Sequence, residues 1–137
     1  LSGGRLLIVD DNHINLMVAE GLCQKLGYET EVAESGMEAI AVLMSTQQSF
    51  DLILMDCEMP DMDGFETSRS IIKLQQEGRL PWIPIVALTA HAVPDKIHAC
   101  HDAGMVAHLA KPINKARLLA TLKQVLRDPG KVSRDRA

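Results

Sequence analysis

Aromatic side chains are scarce in this sequence, at 3% of 137 residues, although 47% of the residues are hydrophobic. Aliphatic side chains must therefore build the core, and the length suits one domain rather than two. Charged residues make up only 23%, which together with the apolar content excludes a globally disordered chain. No apolar run approaches the roughly 18 residues of a membrane span. No signal peptide is recognisable either.

An excess of positive charge is also missing, because 14 Lys and Arg face 18 Asp and Glu, for a net charge of −4. This balance argues against a general surface for nucleic acid or for anionic membranes. The three cysteines, Cys23, Cys57 and Cys100, are scattered and form no C-x-x-C pair. A disulfide framework or a zinc knuckle is therefore not expected, and the setting is interpreted as reducing and cytoplasmic.

Short apolar runs alternate with stretches of helical periodicity along the chain. Strands are expected at residues 5–9, 28–33, 50–55, 84–88 and 106–110. The intervening helices include one whose apolar positions are Ile14, Met17, Val18, Leu22 and Leu26. Five such units predict an α/β fold, a doubly wound, flavodoxin-like sheet of five parallel strands in the order 2-1-3-4-5.

Polar groups stand at four of the five strand ends. Asp10 and Asp11 follow the first strand, Asp56 the third, Thr89 the fourth and Lys111 the fifth. In this topology ligands bind beyond the carboxyl ends of the strands, where strands 1 and 3 meet. Two carboxylates about 5 Å apart repel by roughly 3 kcal/mol at an effective dielectric constant near 20. Three acids at one corner therefore need a compensating cation or a bound proton.

Oxygen ligands without histidine or thiol nearby favour a hard ion, Mg²⁺ or alternatively Mn²⁺. Asp10, Asp11 and Asp56 would supply carboxylates, and Glu58 would supply its backbone carbonyl. A carboxylate beside such an ion, a lysine and a hydroxyl is a set of groups suited to phosphoryl transfer. Asp56 would be the nucleophile, while Lys111 and Thr89 would stabilise the phosphoryl oxygens.

These strand-end motifs together resemble the receiver domains of the two-component response-regulator family. The matching segments are Asp10-Asp11-Asn12, the stretch from Leu52 through Asp56 to Pro60, Asp63-Gly64, Thr89-Ala90 and Lys111-Pro112. The resemblance covers residues 5–127, which leaves 1–4 as a linker remnant and 128–137 as a polar tail. It implies that Asp56 accepts phosphate from a phosphohistidine, and that the Lys111–Pro112 peptide bond is cis.

The resemblance also implies roles for residues around the phosphorylation site. Thr89 would act as a switch together with the residue three positions before Lys111. In the family that residue is often tyrosine or phenylalanine, but here it is His108, which we expect to pack inward on phosphorylation. Glu58 and His91 would tune the lifetime of the acyl phosphate. The switched surface would comprise the helix expected at about residues 94–103, the fifth strand, and the last helix, whose apolar positions are Leu118, Leu119, Leu122, Val125 and Leu126.

The implied partner is a histidine kinase or a histidine phosphotransfer domain. It would dock near the start of the first helix, which carries Ile14, Met17 and Val18. No contact with nucleic acid or membrane is expected of this domain, and dimerisation stays open. The domain would accept phosphate without turning over an external substrate, so it is not interpreted as an enzyme. The motifs around Asp10 and Asp56 resemble receivers of hybrid sensor histidine kinases, which implies the cytoplasmic portion of a membrane-bound sensor kinase. A stand-alone receiver is the alternative.

Three other classes fit the sequence less well. A haloacid-dehalogenase-type phosphatase resembles D-x-D-x-T, whereas Cys57, Glu58, Met59 and Pro60 follow Asp56 here. A nucleotide-binding domain would have a glycine-rich turn after the first strand, where this chain is acidic instead. A degenerate receiver that only binds proteins would typically have lost an acid or the lysine, and none is missing.

Overall fold

The computed structural model of the protein describes residues 4–45 and 49–127. Its five strands are β1 (Arg5–Val9), β2 (Glu29–Ala33), β3 (Leu52–Asp56), β4 (Ile85–Thr89) and β5 (Ala107–Ala110). Its five helices are α1 (His13–Lys25), α2 (Gly36–Ser45), α3 (Gly64–Gln76), α4 (Pro94–Asp102) and α5 (Lys115–Arg127). Strands and helices alternate strictly, as the apolar pattern predicts.

All strand pairs are parallel, and the sheet order is β2-β1-β3-β4-β5. The predicted α/β architecture and strand order are therefore confirmed. Because β1 and β3 are neighbours while their helices lie on opposite faces, the carboxyl ends of these strands border the crevice expected of a doubly wound sheet. The register aligns Val9 with Met55, so the residues that follow each strand emerge side by side.

Each face of the sheet has its own apolar core. One cluster packs α2, α3 and part of α4 on the sheet through residues such as Ile53, Met55 and Ile71. The other packs α1 and α5 through Leu54, Leu118 and others. The central strands β3 and β4 are buried along their whole length. Such strands are covered on both faces, which explains why they read as continuous apolar runs.

Helix α1 forms where its apolar periodicity places it, but only part of the expected apolar stripe faces the sheet. Leu22 and Leu26 pack against the core, whereas the first three positions of the stripe do not. The buried residues of the helix are Leu16, Ala19 and Cys23. Ile14, Met17 and Val18 are instead exposed by 69%, 60% and 50%. The apolar residues of α1 thus belong to two different surfaces, one that packs on the sheet and one exposed to solvent. Periodicity alone cannot tell these two surfaces apart.

Local signals at the helix starts also differ from the sequence interpretation. The Ser35–Glu38 spacing predicts a capping box, and Ser35 Oγ does accept from the Glu38 N–H at 3.0 Å. The Glu38 carboxylate, however, accepts from the N–H of Glu34 rather than from that of Ser35. A complete capping box is found instead at the start of α3, between Asp63 and Glu66.

Residues 1–3 and 128–137, which hold most of the expected linker remnant and the whole expected polar tail, lie outside the described residues. Within residues 4–45 and 49–127, no helix has the length and apolar content to cross a membrane.

Candidate functional site

Three carboxylates meet beyond the carboxyl ends of β1 and β3. One oxygen from each of Asp10, Asp11 and Asp56 lies within 4.8 Å of the others. Asp10 and Asp56 are almost completely buried, at 1% and 2% exposure, whereas Asp11 is exposed. The structure thus brings together the three acids that the sequence analysis selected.

Lys111 reaches this corner from the end of β5. Its Nζ lies 2.9 Å from Asp56 Oδ1, to which it donates a hydrogen bond, and 3.1 Å from Asp10 Oδ2. The Lys111–Pro112 peptide bond that follows is cis, as the family resemblance implies. The ammonium group of Lys111 therefore offsets part of the repulsion between two buried carboxylates.

Backbone amides complete the partners of the buried acids. Asp56 Oδ1 also accepts from the Glu58 N–H at 3.2 Å, and Asp10 Oδ1 accepts from the Asn12 N–H at 2.9 Å. Both amides belong to the loops that continue the strands. Each loop thus folds back on the acid that begins it and fixes that carboxylate in place.

Burial dominates the titration of Asp56. Loss of hydration raises its pKa most strongly, the hydrogen bond from Lys111 lowers it, and the charge of Asp10 raises it, so that the pKa is about 6. Burial by itself lowers the pKa of Lys111, but the contacts with Asp56 and Asp10 outweigh burial and leave that pKa raised. The carboxylate is therefore ionised in most molecules at neutral pH, and the lysine is protonated.

The Thr89 hydroxyl lies at the end of β4 but is occupied within its own loop. It donates to the His91 carbonyl oxygen at 3.0 Å and accepts from the His91 N–H at 3.2 Å. Among the described residues, no hydrogen bond joins Thr89 to Asp56. Thr89 is buried, and the His91 side chain is exposed.

A close backbone approach positions the loop after Asp56. The Gly64 N–H donates to the Cys57 carbonyl at 3.0 Å. A Cβ at Gly64 would clash with the backbone carbonyl of Asp56 and with Cys57 Cα. The glycine of the Asp63-Gly64 motif is thus required because α3 begins in direct contact with the residue that carries the proposed nucleophile.

His108 occupies the predicted switch position on β5, and its side chain is exposed. It lines a surface groove of about 230 Å³ together with Ala92 from the β4–α4 loop and Arg117 and Thr121 from α5. The expected inward packing concerns the phosphorylated protein and stays a prediction.

Two contacts between the β3–α3 loop and α4 were not anticipated from the sequence. Lys96 Nζ lies 2.8 Å from a Glu58 carboxylate oxygen, and this ion pair lowers the pKa of Glu58 and raises that of Lys96. Cys57 and Cys100, both buried, place their sulfur atoms 3.6 Å apart. No sequence motif indicates either pair, because the partners are brought together by the packing of α4.

The acid cluster fits a divalent cation. Asp10 Oδ2 is buried and, despite lying 3.1 Å from Lys111 Nζ, makes no hydrogen bond of good geometry with any described residue. A buried carboxylate oxygen without a hydrogen bond is costly unless an ion or water satisfies it. The donors are all oxygens, which suits Mg²⁺. Asp10, Asp11 and Asp56 therefore have the chemistry and spacing to hold such an ion.

Comparison with known proteins agrees with this geometry: the chain belongs to the family of response regulator receiver domains, whose family model matches residues 6–123. It is 38% identical over 122 residues to the hybrid signal transduction histidine kinase L of Dictyostelium discoideum and 39% identical over 114 residues to the sensor protein GacS of Pseudomonas syringae pv. syringae. These alignments cover 88% and 83% of this chain but only 7% and 12% of the two relatives.

Solved structures give the same family and fold. The chain is 37% identical to the receiver domain of sensor histidine kinase PA1611 from Pseudomonas aeruginosa PAO1, with a TM-score of 0.78 over 91% of this chain and 98% of the other. That structure has a magnesium ion coordinated in its active site cleft. The receiver domain of histidine kinase CKI1 from Arabidopsis thaliana, complexed with Mg²⁺, is 34% identical, with a TM-score of 0.80 over 91% and 93% of the two chains. The chain is thus a receiver domain of two-component signalling.

Proposed function

We propose that Asp56 of this receiver domain accepts a phosphoryl group from a phosphohistidine. The observation that carries this proposal is the position of Lys111 Nζ, 2.9 Å from Asp56 Oδ1 and 3.1 Å from Asp10 Oδ2. A protonated lysine held between two buried acids lies where it can bind a phosphoryl oxygen once that group arrives.

The chemistry requires an ionised carboxylate with a free oxygen. Asp56 Oδ1 is held by Lys111 and by the Glu58 N–H, and no described residue hydrogen-bonds to Oδ2. Oδ2 attacks phosphorus, the bond to the histidine nitrogen of the donor breaks, and the new O–P bond makes an acyl phosphate. No general base is needed, since a pKa of about 6 leaves the carboxyl mostly ionised at neutral pH.

Asp10, Asp11 and Asp56, together with the backbone carbonyl of Glu58, would hold Mg²⁺, with Mn²⁺ as a substitute. The ion would supply positive charge that offsets the carboxylates and the phosphoryl oxygens. Lys111 contributes a second positive charge from the side of β5. Thr89 exchanges its hydrogen bond with the His91 carbonyl for one with a phosphoryl oxygen.

Phosphorylation then changes the surface made of α4, β5 and α5. The phosphoryl group adds about −1.5 to −2 charges at the strand ends. Thr89 and His108 transmit the change by moving toward the site, while Glu58 and His91 at its mouth set how readily water reaches the acyl phosphate. The domain performs only its own phosphorylation and turns over no external substrate, so it acts as a signalling domain and not as an enzyme.

The partner is a histidine kinase or a histidine phosphotransfer domain that docks on the start of α1. The exposed apolar side chains of Ile14, Met17 and Val18 support this location. They begin within one helical turn of the loop that holds Asp10 and Asp11, so a partner bound there places its phosphohistidine over the site. We propose no contact of this domain with nucleic acid or membrane.

We propose residues 5–127 as the receiver unit, with 1–4 as a linker remnant and 128–137 as a polar tail or linker. The relatives that are hybrid or sensor histidine kinases support a receiver inside a hybrid sensor histidine kinase, in its cytoplasmic portion. In that setting the full-length protein would itself carry the kinase activity.

The test is transfer from a ³²P-labelled histidine phosphotransfer domain to this chain, with Mg²⁺ or with EDTA. We expect label on the wild type only with Mg²⁺, and none on Asp56→Asn. Met17→Glu should slow transfer from the protein donor but not from phosphoramidate. The control is Met37→Glu, which changes a methionine of α2 that is exposed by 69% and should slow neither reaction. Label on Asp56→Asn, or none on wild type from any donor, would overturn the proposal.

A further inference from the structure

A pair of thiols lies directly behind the proposed nucleophile. Cys57 follows Asp56 in sequence, Cys100 lies on α4, and their Sγ atoms are 3.6 Å apart across 43 residues of chain. Both cysteines are reduced and buried in the same apolar cluster. The third cysteine, Cys23, is equally buried but lies in the cluster on the opposite face of the sheet. Only one pair of thiols among the described residues is therefore in contact.

The two halves of this pair are held with unequal firmness. The Cys57 N–H donates to the Leu88 carbonyl at 3.0 Å, and the Cys57 carbonyl accepts from the Gly64 N–H at 3.0 Å. Cys57 is thus fixed to β4 and to the start of α3. Cys100 is carried by α4, a helix of nine residues in which it is the one buried residue. A change in the distance between the sulfurs is therefore taken up by α4.

A second contact keeps α4 close to the same loop. Lys96, one helical turn before Cys100, pairs with Glu58, the residue after Cys57. Two consecutive loop residues thus meet two residues on one face of α4. This arrangement holds the sulfurs together, which gives each thiol a high effective concentration toward the other.

We propose that Cys57 and Cys100 are a redox-sensitive site: a hydroperoxide converts them to a reversible disulfide that fastens α4 to the phosphoacceptor loop and slows phosphorylation of Asp56. The effect on Asp56 rests on the proposed function, whereas formation of the disulfide does not. A disulfide needs its sulfurs about 2.05 Å apart, so they must approach by roughly 1.5 Å. Because Cys57 is fixed, that approach moves α4 and the Glu58–Lys96 contact at the mouth of the site.

The chemistry is balanced with hydrogen peroxide as oxidant. One cysteine first loses its thiol proton, its thiolate sulfur attacks a peroxide oxygen, and the O–O bond breaks. The hydroxide that leaves takes up a proton, so the products are a sulfenic acid and one water. The second sulfur then attacks the sulfenic sulfur, the S–O bond breaks, and the hydroxyl leaves with the thiol proton as a second water. The two sulfurs together lose two electrons, and the peroxide gains them. A dithiol reverses the reaction by exchange.

The experiment exposes the reduced chain to hydrogen peroxide at neutral pH, then alkylates remaining thiols after denaturation and measures intact mass. We expect a product that has lost two hydrogen atoms and carries one alkyl group, at Cys23, instead of three. Peptide mapping without reductant should recover a Cys57–Cys100 cross-link, and dithiothreitol should restore all three thiols. Cys23→Ala should keep the cross-link, and Cys57→Ala and Cys100→Ala should each lose it.

Three outcomes would overturn the site. In the first, all three thiols are still alkylated after a peroxide treatment that oxidises glutathione completely. In the other two, the disulfide involves Cys23, or cross-linked dimers form in place of the internal disulfide. The mass and the peptide map are measured on the wild type. The outcome of the test therefore does not depend on whether a cysteine variant folds well.

The second measurement is the rate of phosphorylation by phosphoramidate in the reduced and oxidised forms. A misplacement of about 1 Å can slow a reaction up to a hundredfold, so we expect oxidation to lower the rate by at least about threefold. The oxidised form treated with dithiothreitol should regain the rate, and peroxide should not affect Cys100→Ala. Equal rates would overturn the effect on Asp56. A reduced protein that is never phosphorylated would instead overturn the proposed function, with the disulfide still established by mass.

Discussion

The Lys96 ammonium lies 2.8 Å from a Glu58 carboxylate oxygen and so joins α4 to the loop that begins at Asp56. Both side chains are substantially exposed, at 33% and 48%. Exposed pairs of this kind contribute about 0 to 1 kcal/mol to stability. The main effect of the pair is therefore to position the Glu58 side chain near the site, and its contribution to folding stability is small.

Removing this pair should shorten the life of the acyl phosphate. We expect Lys96→Ala and Glu58→Ala each to speed dephosphorylation severalfold, because a displaced Glu58 admits water to the site, and the double variant to add little to either. His91→Ala should act in the same direction. The measurement is loss of phosphate from the phosphorylated chain over time.

Lys115→Ala is the control, because Lys115 is an exposed lysine at the start of α5, away from the loop. It should leave both the lifetime and the melting temperature unchanged. If Lys96→Ala behaves like Lys115→Ala while Glu58→Ala changes the lifetime, Lys96 does not position Glu58.

The contact between Gly64 and the Asp56 carbonyl predicts a large loss of stability in Gly64→Ala. The added Cβ would overlap backbone atoms that cannot rotate away, so we expect a loss of about 2 to 4 kcal/mol. Gly21→Ala is the matched substitution inside α1, where a Cβ meets nothing within 4 Å. It should instead stabilise the protein by about 0.5 to 1 kcal/mol. Urea unfolding measures both, and equal effects would mean that the close approach at Gly64 is not required.

The raised pKa of Asp56 predicts how stability depends on pH without metal. A carboxyl with a pKa of about 6 in the folded state and 3.8 as its ordinary value binds more protons when folded. Its contribution to stability is thus present below about pH 4 and lost as pH rises through about 6. At pH 7.5 the buried charge of Asp56 lowers the free energy of unfolding, and Asp56→Asn removes this destabilisation.

We therefore expect Asp56→Asn to melt about 3 to 10 °C above wild type at pH 7.5 in EDTA, and the gap to narrow as pH falls toward 4. Mg²⁺ should raise the melting temperature of wild type far more than that of Asp56→Asn. A constant gap from pH 4 to 7.5 would show that ionisation of Asp56 is not its cause.

His108 gives a prediction about the phosphorylated state. Its ring is exposed beside a groove of about 230 Å³, and we expect it to turn inward when a phosphoryl analogue such as beryllofluoride occupies Asp56. The NMR signals of the imidazole should then report burial, while the ring of His98, with a side chain exposed by 80%, should stay in solvent. Identical His108 ring positions with and without the analogue would contradict the prediction.

Much of the fold and of the site follows from the sequence. Strands buried on both faces give unbroken apolar runs, so β1, β3 and β4 were predicted to within one or two residues. The order of a doubly wound sheet then brings Asp10, Asp56 and Lys111 together without further information. The site was predictable because its residues sit at strand ends, where topology alone determines which ones meet.

The remainder depended on packing that periodicity does not encode. Ile14, Met17 and Val18 repeat at helical spacing but face solvent, because Leu16, Ala19 and Cys23 fit the sheet. The Glu58–Lys96 and Cys57–Cys100 contacts depend on how α4 lies against a loop some 40 residues earlier. The capping box of Asp63 and Glu66 differs from these contacts, because its D-x-x-E spacing is a helix-start signal that the sequence does contain.

The most direct measurement is intact mass after incubation with Mg²⁺ and a small-molecule phosphodonor, for wild type, Asp56→Asn and Asp61→Asn. Asp61 is an exposed acid in the same loop, at a φ of 67° that asparagine tolerates, so Asp61→Asn controls for the loss of one carboxylate. We predict one acid-stable, base-labile phosphoryl group on wild type and on Asp61→Asn, and none on Asp56→Asn. A phosphoryl group on Asp56→Asn would contradict the assignment of Asp56 as the phosphoacceptor. The assignment would also be contradicted if folded, Mg²⁺-binding wild type gained no phosphoryl group even from a phosphorylated phosphotransfer domain.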